Sequence, residues 1–217
     1  MRRLVFAAML LAPLGATAQT PVAAPGQPGW TPAGKECFVW NQNPAKDETA
    51  EWTGPCEQQH ATGKGVLVWR LGNVQQRYDG EMRDGRLNGR GIYSFGDGGR
   101  YEGQFKDDQF DGIGTLIDGS NRYDGGWKAG KKDGHGVMIM SDGNRYDGDF
   151  KEDVLEGKGV FTLVDGRRFE GQLARGWPNG QGTLVDQDGT YTGTWVDGCF
   201  NDGKRKAAFA VDPAGCK

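Results

Sequence analysis

Residues 101–125 read YEGQFKDDQFDGIGTLIDGSNRYDG, and this block decides the fold. Its first five residues alternate Tyr101, Gly103 and Phe105 with charged or polar residues, which is typical of a β-strand with one buried face. A second alternating run follows the Gly-x-Gly step at 112–114, and the run ends in an Asp-Gly dipeptide that tight hairpin turns favour because it accepts positive φ. The block therefore predicts a β-hairpin.

The block recurs along most of the chain, with successive starts 22 to 26 residues apart. A single hairpin is only marginally stable, so we expect consecutive units to pair edge to edge. The predicted fold class is all-β: an elongated single-layer antiparallel sheet of stacked β-hairpins. The seven units, which together span residues 52–205, begin at Trp52, Tyr78, Tyr101, Tyr123, Tyr146, Phe169 and Tyr191.

Composition excludes several classes of protein. The 217 residues include 38 Gly, too many for an ordinary helix-rich enzyme. With 26 basic and 29 acidic residues the formal net charge is −3, so no basic excess indicates nucleic-acid binding. Neither His60 nor His135 has a nucleophile at a recognisable motif spacing. We therefore expect no enzymatic activity, no catalytic or metal-binding residues and no cofactor.

The N-terminal segment has the features of a secretory signal peptide over residues 1–18. Two arginines precede a short apolar run, and a small-x-small site ends at Ala18. The apolar run is too short to span a membrane, so we expect no transmembrane segment after cleavage and a periplasmic or secreted protein. Residues 19–34 are rich in Pro, Gly and Ala and predict a flexible linker that carries no fold.

Four cysteines lie towards the two ends of the exported part, where an oxidising compartment favours disulfides. Three pairings are possible. We expect Cys37 to pair with Cys56 and Cys199 with Cys216, because each pair closes a short loop. The cap segments 35–51 and 206–217 flank the repeats, and the disulfides are expected to tie residues 37–54 and 200–216 over the exposed edges of the sheet.

The repeated pattern Tyr-[Asp/Glu]-Gly-x-[Phe/Trp] followed by Gly-x-Gly resembles the MORN repeat. The resemblance covers residues 52 to about 205, and the first and last units depart from it. It implies an elongated, twisted sheet of hairpins, often a trough, with a role in protein interaction or in contact with membranes, lipids or other scaffolds.

Two rows of side chains are candidate binding surfaces. An arginine precedes the first aromatic of five consecutive units and could form a ladder for phosphate or carboxylate groups. Acidic residues two positions later could instead neutralise it as an ordinary solvated face. The candidate ladder is Arg77, Arg100, Arg122, Arg145 and Arg168.

The opposite face carries aromatic rings that a single sheet has no second layer to cover. We expect the unit's third residue, a glycine, to leave a slot for a ring from the adjacent strand. The face is therefore a candidate partner-binding trough, unless its rings pack on one another. The candidate residues are Tyr78, Tyr101, Phe105, Tyr123, Trp127, Tyr146, Phe150, Phe169 and Trp195.

The leading functional hypothesis is a non-enzymatic exported protein that acts as a protein–protein interaction or scaffolding module. The alternative is a lipid- or envelope-polysaccharide-binding protein, since aromatic rings can stack on sugars. The negative charge makes attraction to anionic lipid headgroups weak.

Overall fold

The structure is a computed structural model that describes residues 28–34, 36–209, 211 and 216. The predicted signal peptide and the linker up to residue 27 lie outside the described residues. Every regular element within them is a β-strand. The strands are β1 (Gly29–Pro32), β2 (Phe38–Asn41), β3 (Thr49–Trp52), β4 (Cys56–Glu57), β5 (His60–Ala61), β6 (Gly63–Leu71), β7 (Val74–Arg83), β8 (Arg86–Ser94), β9 (Arg100–Lys106), β10 (Gln109–Asp118), β11 (Asn121–Lys128), β12 (Lys131–Ile139), β13 (Arg145–Lys151), β14 (Val154–Thr162), β15 (Arg168–Ala174), β16 (Trp177–Asp186), β17 (Gly189–Val196), β18 (Cys199–Asn201) and β19 (Lys206–Ala208).

The strands form one large and one small sheet. The large sheet has 15 strands, in which β3 pairs with β6 and each strand from β6 to β19 pairs with the next. All its pairings are antiparallel. This arrangement confirms the all-β antiparallel sheet of consecutive hairpins that the repeat predicts.

The small sheet corrects the expected linker. Its strand order is β1-β2-β5-β4, and β1 covers Gly29–Pro32, within the segment predicted to carry no fold. Ala33 is buried, and its carbonyl accepts a hydrogen bond from the backbone N–H of Trp52 in β3. The folded part therefore begins before residue 35, and the small sheet contacts the outer edge of the large one.

A row of glycines runs straight across the large sheet. One glycine from each strand between β6 and β17 stands directly opposite a glycine of its neighbour. In chain order these are Gly65, Gly80, Gly91, Gly103, Gly114, Gly125, Gly136, Gly148, Gly159, Gly171, Gly182 and Gly193. Along this line, which runs perpendicular to the strands, no residue has a side chain larger than a hydrogen atom.

The first aromatic residue of each central unit covers two glycines of this row. The Tyr101 ring lies over Gly103 of its own strand and over Gly114 of the next, so a Cβ at Gly103 would stand 2.5 Å from the Tyr101 hydroxyl. That hydroxyl donates to the carbonyl oxygen of Gln104 at 3.0 Å. The ring over the unit's third residue, Gly103, thus comes from that glycine's own strand and not from the adjacent strand as expected, whereas Gly114 is covered by a ring from the strand beside it. In this position the tyrosine hydroxyl also reaches an acceptor three residues further along the same chain.

The first unit uses a different residue for the same contact. The Trp52 indole stands over Gly65, where a Cβ would be 2.6 Å from the ring, and its Nε1–H donates to the carbonyl of Pro55 at 2.8 Å. Phe169 covers Gly182 without a hydroxyl. These units therefore share an aromatic ring that covers the glycines. Where the ring carries a donor, as in Trp52, a hydrogen bond to a backbone carbonyl is made as well.

The two ends of each hairpin use different turns. At the Asp-Gly junction, Gly143 has φ of 88°, while the Asp142 carboxylate accepts the N–H of Asn144. The opposite end is a two-residue turn with both φ values positive, which is the type I′ geometry. Asp153 takes such a position at φ of 72°, where its Oδ1 accepts the Lys132 N–H at 3.0 Å. The sequence pattern did not indicate this second set of turns, since the turns at Asp107–Asp108 and Glu152–Asp153 contain no glycine.

The cysteines pair as expected, Cys37 with Cys56 and Cys199 with Cys216. The C-terminal end differs from the expected cap, because β18 and β19 extend the sheet instead of covering its edge. Beyond them, Phe209 is buried against the Phe161 and Phe169 rings, with centroids 5.5 and 5.6 Å away. Phe209 therefore covers part of the aromatic face.

We predict that Gly159→Ala destabilises the sheet. A Cβ there would lie 2.5 Å from the Tyr146 ring, so the ring must leave its place over the glycine row. Overpacking of this kind costs about 1–3 kcal/mol. Urea denaturation followed by fluorescence measures the change. Gly99→Ala is the control, because the nearest atom would be 3.2 Å away and the backbone is not left-handed; equal losses in the two variants would contradict the prediction.

We also predict a loss of stability at alkaline pH. Burial raises the pKa of Tyr101 and of Tyr123 from 10.0 to about 12. Above pH 10 the unfolded chain therefore releases protons that the folded sheet retains, so stability falls as pH rises. Each such tyrosine lowers the free energy of unfolding by about 1.4 kcal/mol per pH unit between pH 10 and 12.

Urea denaturation at pH 9, 10 and 11 measures this slope, and tyrosinate absorbance reports ionisation in the folded protein. Tyr101→Phe is the matched variant, because Phe169 already fills the same position without a hydroxyl. The variant's slope should be shallower by one tyrosine. Ionisation of all phenols near pH 10 in the folded protein would count against the prediction.

Candidate binding surfaces

The aromatic face is filled by its own rings, which favours mutual packing over the candidate open trough. All nine candidate residues are buried, with at most 6 % of any of them exposed. Trp127, for example, packs edge-on against Tyr101 and Tyr123, and its Nε1–H donates to the Gly114 carbonyl. Rings packed on one another in this way leave no continuous open trough along the repeats.

The arginine ladder is neutralised within each unit. Each arginine donates to the acidic residue two positions later on the same strand, at 2.6 to 3.1 Å. The pairs are Arg77–Asp79, Arg100–Glu102, Arg122–Asp124, Arg145–Asp147 and Arg168–Glu170. The geometry therefore supports the solvated-face interpretation of the ladder over an anion-binding stripe.

A groove lies on the face opposite the rings and follows the glycine row across the strands. It consists of two cavities of about 890 and 990 Å³ that share His135 in their linings. The first is lined by residues between Asp79 and His135, and the second by residues between His135 and Thr192. We call this surface the glycine groove.

The two sides of the glycine groove differ in chemistry. One side carries the acidic residues that pair with the ladder arginines. From strand to strand these acids alternate with uncharged side chains such as Ile92, Thr115 and Val160. The other side carries longer polar groups, including Gln104 and Lys158, and the exposed apolar side chain of Ile113. Equivalent residues recur on every second strand, about 10 Å apart.

Hydrogen bonds hold the charges of the groove in place. Partial burial acts to raise the pKa of Asp124, but hydrogen bonds from Arg122 and Thr115 outweigh it and keep that pKa below its usual value. His135 Nε2 lies 3.3 Å from Asp147 Oδ1. The groove therefore offers fixed donors and acceptors, and five of its carboxylates are paired with arginines, which suits a polar ligand.

A smaller cavity of about 430 Å³ lies at the N-terminal end, between the small sheet and the aromatic face. We call it the N-terminal pocket. Its walls combine Trp40 and Glu48 of the cap segment with Tyr93, Phe95 and Asp108 of the repeats. The sequence pattern does not indicate this pocket, because the named residues of its two sides lie 45 to 68 positions apart and carry no shared motif.

The described residues contain neither a group of three or more potential metal ligands nor a helix long and apolar enough to cross a membrane.

The structure defines a repeat protein made of stacked hairpins, with a packed aromatic side and an open groove on the other. A family model named MORN repeat matches residues 78–100, 101–121, 123–145, 146–167 and 169–191. These matches cover half of the chain, and the protein belongs to the MORN repeat family. A search of curated proteins found no match. MORN repeats are commonly involved in protein or membrane-lipid interaction.

Proposed function

We propose that this protein is an exported, non-enzymatic interaction module that binds a protein partner along the glycine groove. The observation that carries the proposal is the groove itself. It runs the length of the repeat array, and its polar groups are held by hydrogen bonds within the sheet. An extended segment of a partner protein could lie across the strands there.

The repetition of the groove supports binding over catalysis. The five carboxylates of the ladder each have an arginine partner in the same geometry. A catalytic acid or base needs an environment that sets it apart from similar groups. Equivalent environments spread along the groove instead favour many weak contacts with one elongated partner.

Export is the second part of the proposal. It rests on the signal-like residues 1–18 and on the two disulfides, which are compatible with an oxidising periplasmic or extracellular location. Lipid or polysaccharide binding is the alternative. Polysaccharide binding by ring stacking has less support, because the rings that would stack on sugars are buried.

The test compares two matched surface substitutions in partner capture. Ile113 lines the groove and is 68 % exposed, whereas Val164 lies outside it in an inter-unit turn and is 75 % exposed. We expect Ile113→Asp to reduce recovery of a periplasmic or secreted partner about tenfold, as loss of a central contact does. Val164→Asp should leave recovery unchanged, as measured by quantitative mass spectrometry.

Equal recovery by both variants would refute the groove as the binding surface. Liposome flotation and glycan pulldown with the same pair of variants examine the alternative. Binding to vesicles or glycans that Ile113→Asp abolishes, without a captured protein, would replace the protein partner with that ligand.

A further inference from the structure

We propose that the N-terminal pocket binds a small organic cation that carries a quaternary ammonium group. The pocket lies on the aromatic side of the sheet and is separate from the glycine groove. Its volume of about 430 Å³ is within the usual range for small-molecule sites.

Six of the 15 residues that line the pocket are aromatic. Phe105 and Phe110 pack edge to face with centroids 5.5 Å apart, and Tyr93 and Phe95 lie 5.0 Å apart. Tyr93, Phe95 and Phe110 keep part of their surface exposed, unlike the rings deeper in the face. Ring faces available to a ligand attract cations through their quadrupole.

The charged groups in the lining are all acidic. Glu48 and Asp108 line the pocket, and the lining contains no lysine, arginine or histidine. Both carboxylates act on the same phenol: burial, together with the negative charges of Glu48 and Asp108, raises the pKa of Tyr93 to about 12. An anionic ligand would meet repulsion from Glu48 here.

The two carboxylates differ in how they are balanced. Asp108 accepts the Leu87 N–H at 2.8 Å and pairs with Arg86 at 2.9 Å, while the Arg86 guanidinium lies 4.3 Å from the centre of the Trp40 ring. That corner therefore already holds one cation between a carboxylate and an indole. Burial nevertheless raises the pKa of Asp108 above its usual value.

Glu48 lacks such a partner. Its Oε2 accepts the Asn41 side-chain amide at 2.9 Å and the Ala45 N–H at 3.0 Å, both neutral donors. Among the described residues no basic side chain lies within salt-bridge distance of Glu48. A neutral ligand that covered Glu48 would remove water from an unpaired carboxylate, and this desolvation costs free energy. An organic cation would offset that cost by its attraction to the carboxylate.

A metal ion does not fit the same site. Calcium takes six to eight oxygen ligands, and no group of three or more potential metal-binding side chains occurs among the described residues. A quaternary ammonium group needs no such shell, because it binds to ring faces and a nearby carboxylate. Aromatic walls with an unpaired acid therefore select this class of ligand.

Isothermal titration calorimetry with choline and with 3,3-dimethyl-1-butanol tests the proposal. The two molecules share a shape, but only choline is charged. We expect choline to bind at least tenfold more tightly. Glu48→Gln retains an oxygen for the two neutral donors and should reduce choline affinity about tenfold without changing that of the alcohol. Glu152→Gln, distant from the pocket, is the matched control and should bind choline as the wild type does.

A second variant keeps the test independent of Glu48. Phe95→Leu preserves apolar volume but removes a ring face, and it should reduce choline affinity about threefold. Thermal denaturation confirms that each variant folds. Equal affinity for choline and the alcohol, or unchanged choline binding in Glu48→Gln, would overturn the proposal.

Two further probes distinguish the sources of the ammonium group. N-acetyl-lysine methylamide presents the primary ammonium of a partner protein, and phosphatidylcholine vesicles present a lipid headgroup. We expect choline to bind more tightly than the lysine compound, and we expect no flotation with vesicles. Tighter binding of the lysine compound, or flotation that Glu48→Gln abolishes, would overturn assignment to a free solute.

Discussion

The structure depends on one contact, an aromatic ring lying flat over two glycines of adjacent strands. In the Tyr146 unit, the ring excludes a Cβ at both Gly148 and Gly159, and the hydroxyl reaches the Asp149 carbonyl at 3.0 Å. The ring therefore fixes the register of two strands and satisfies its own polar atom. Repetition of this contact allows a sheet of 15 strands to form a core only one side chain thick.

This contact decides which surface remains for binding. A single layer has no second sheet to cover its apolar side, so the rings must cover one another. They do so edge to face, as Tyr123 and Phe150 show at 5.1 Å. The backbone along the glycine row is then approachable from the opposite face, where the groove forms. The contact between ring and glycines therefore accounts both for the packed aromatic face and for the open groove on the opposite face.

The segments that flank the repeats add contacts and a cavity that the repeats by themselves lack. At the C-terminus, Phe209 covers Phe161 and Phe169, so the rings at that end are not left bare. At the N-terminus, the small sheet leaves a cavity between Trp40 and the rings of the first repeats. A periodic array offers each ligand several equivalent positions. A pocket with a unique set of side chains therefore forms where the repeats end.

The sequence by itself determined the hairpin units and their alternation, and it favoured the disulfide pairing that the structure contains. These follow from local rules: period-two burial, turn dipeptides and short loops between cysteines. It also placed Tyr101, Gly103 and Phe105 on one face. It did not reveal the strand at Gly29–Pro32, because that segment has turn-forming composition and becomes a strand only by pairing with β2.

Only the tertiary structure decided which side is open and where a distinct pocket forms. Whether rings pack together or stand apart depends on sheet curvature and strand spacing, which residue identities do not specify. Glu48 and Asp108 line the same pocket only because the segment before β3 lies against the first repeats, which brings together residues far apart in the chain. Periodicity is a property of neighbours in sequence, whereas a cavity is a property of neighbours in space.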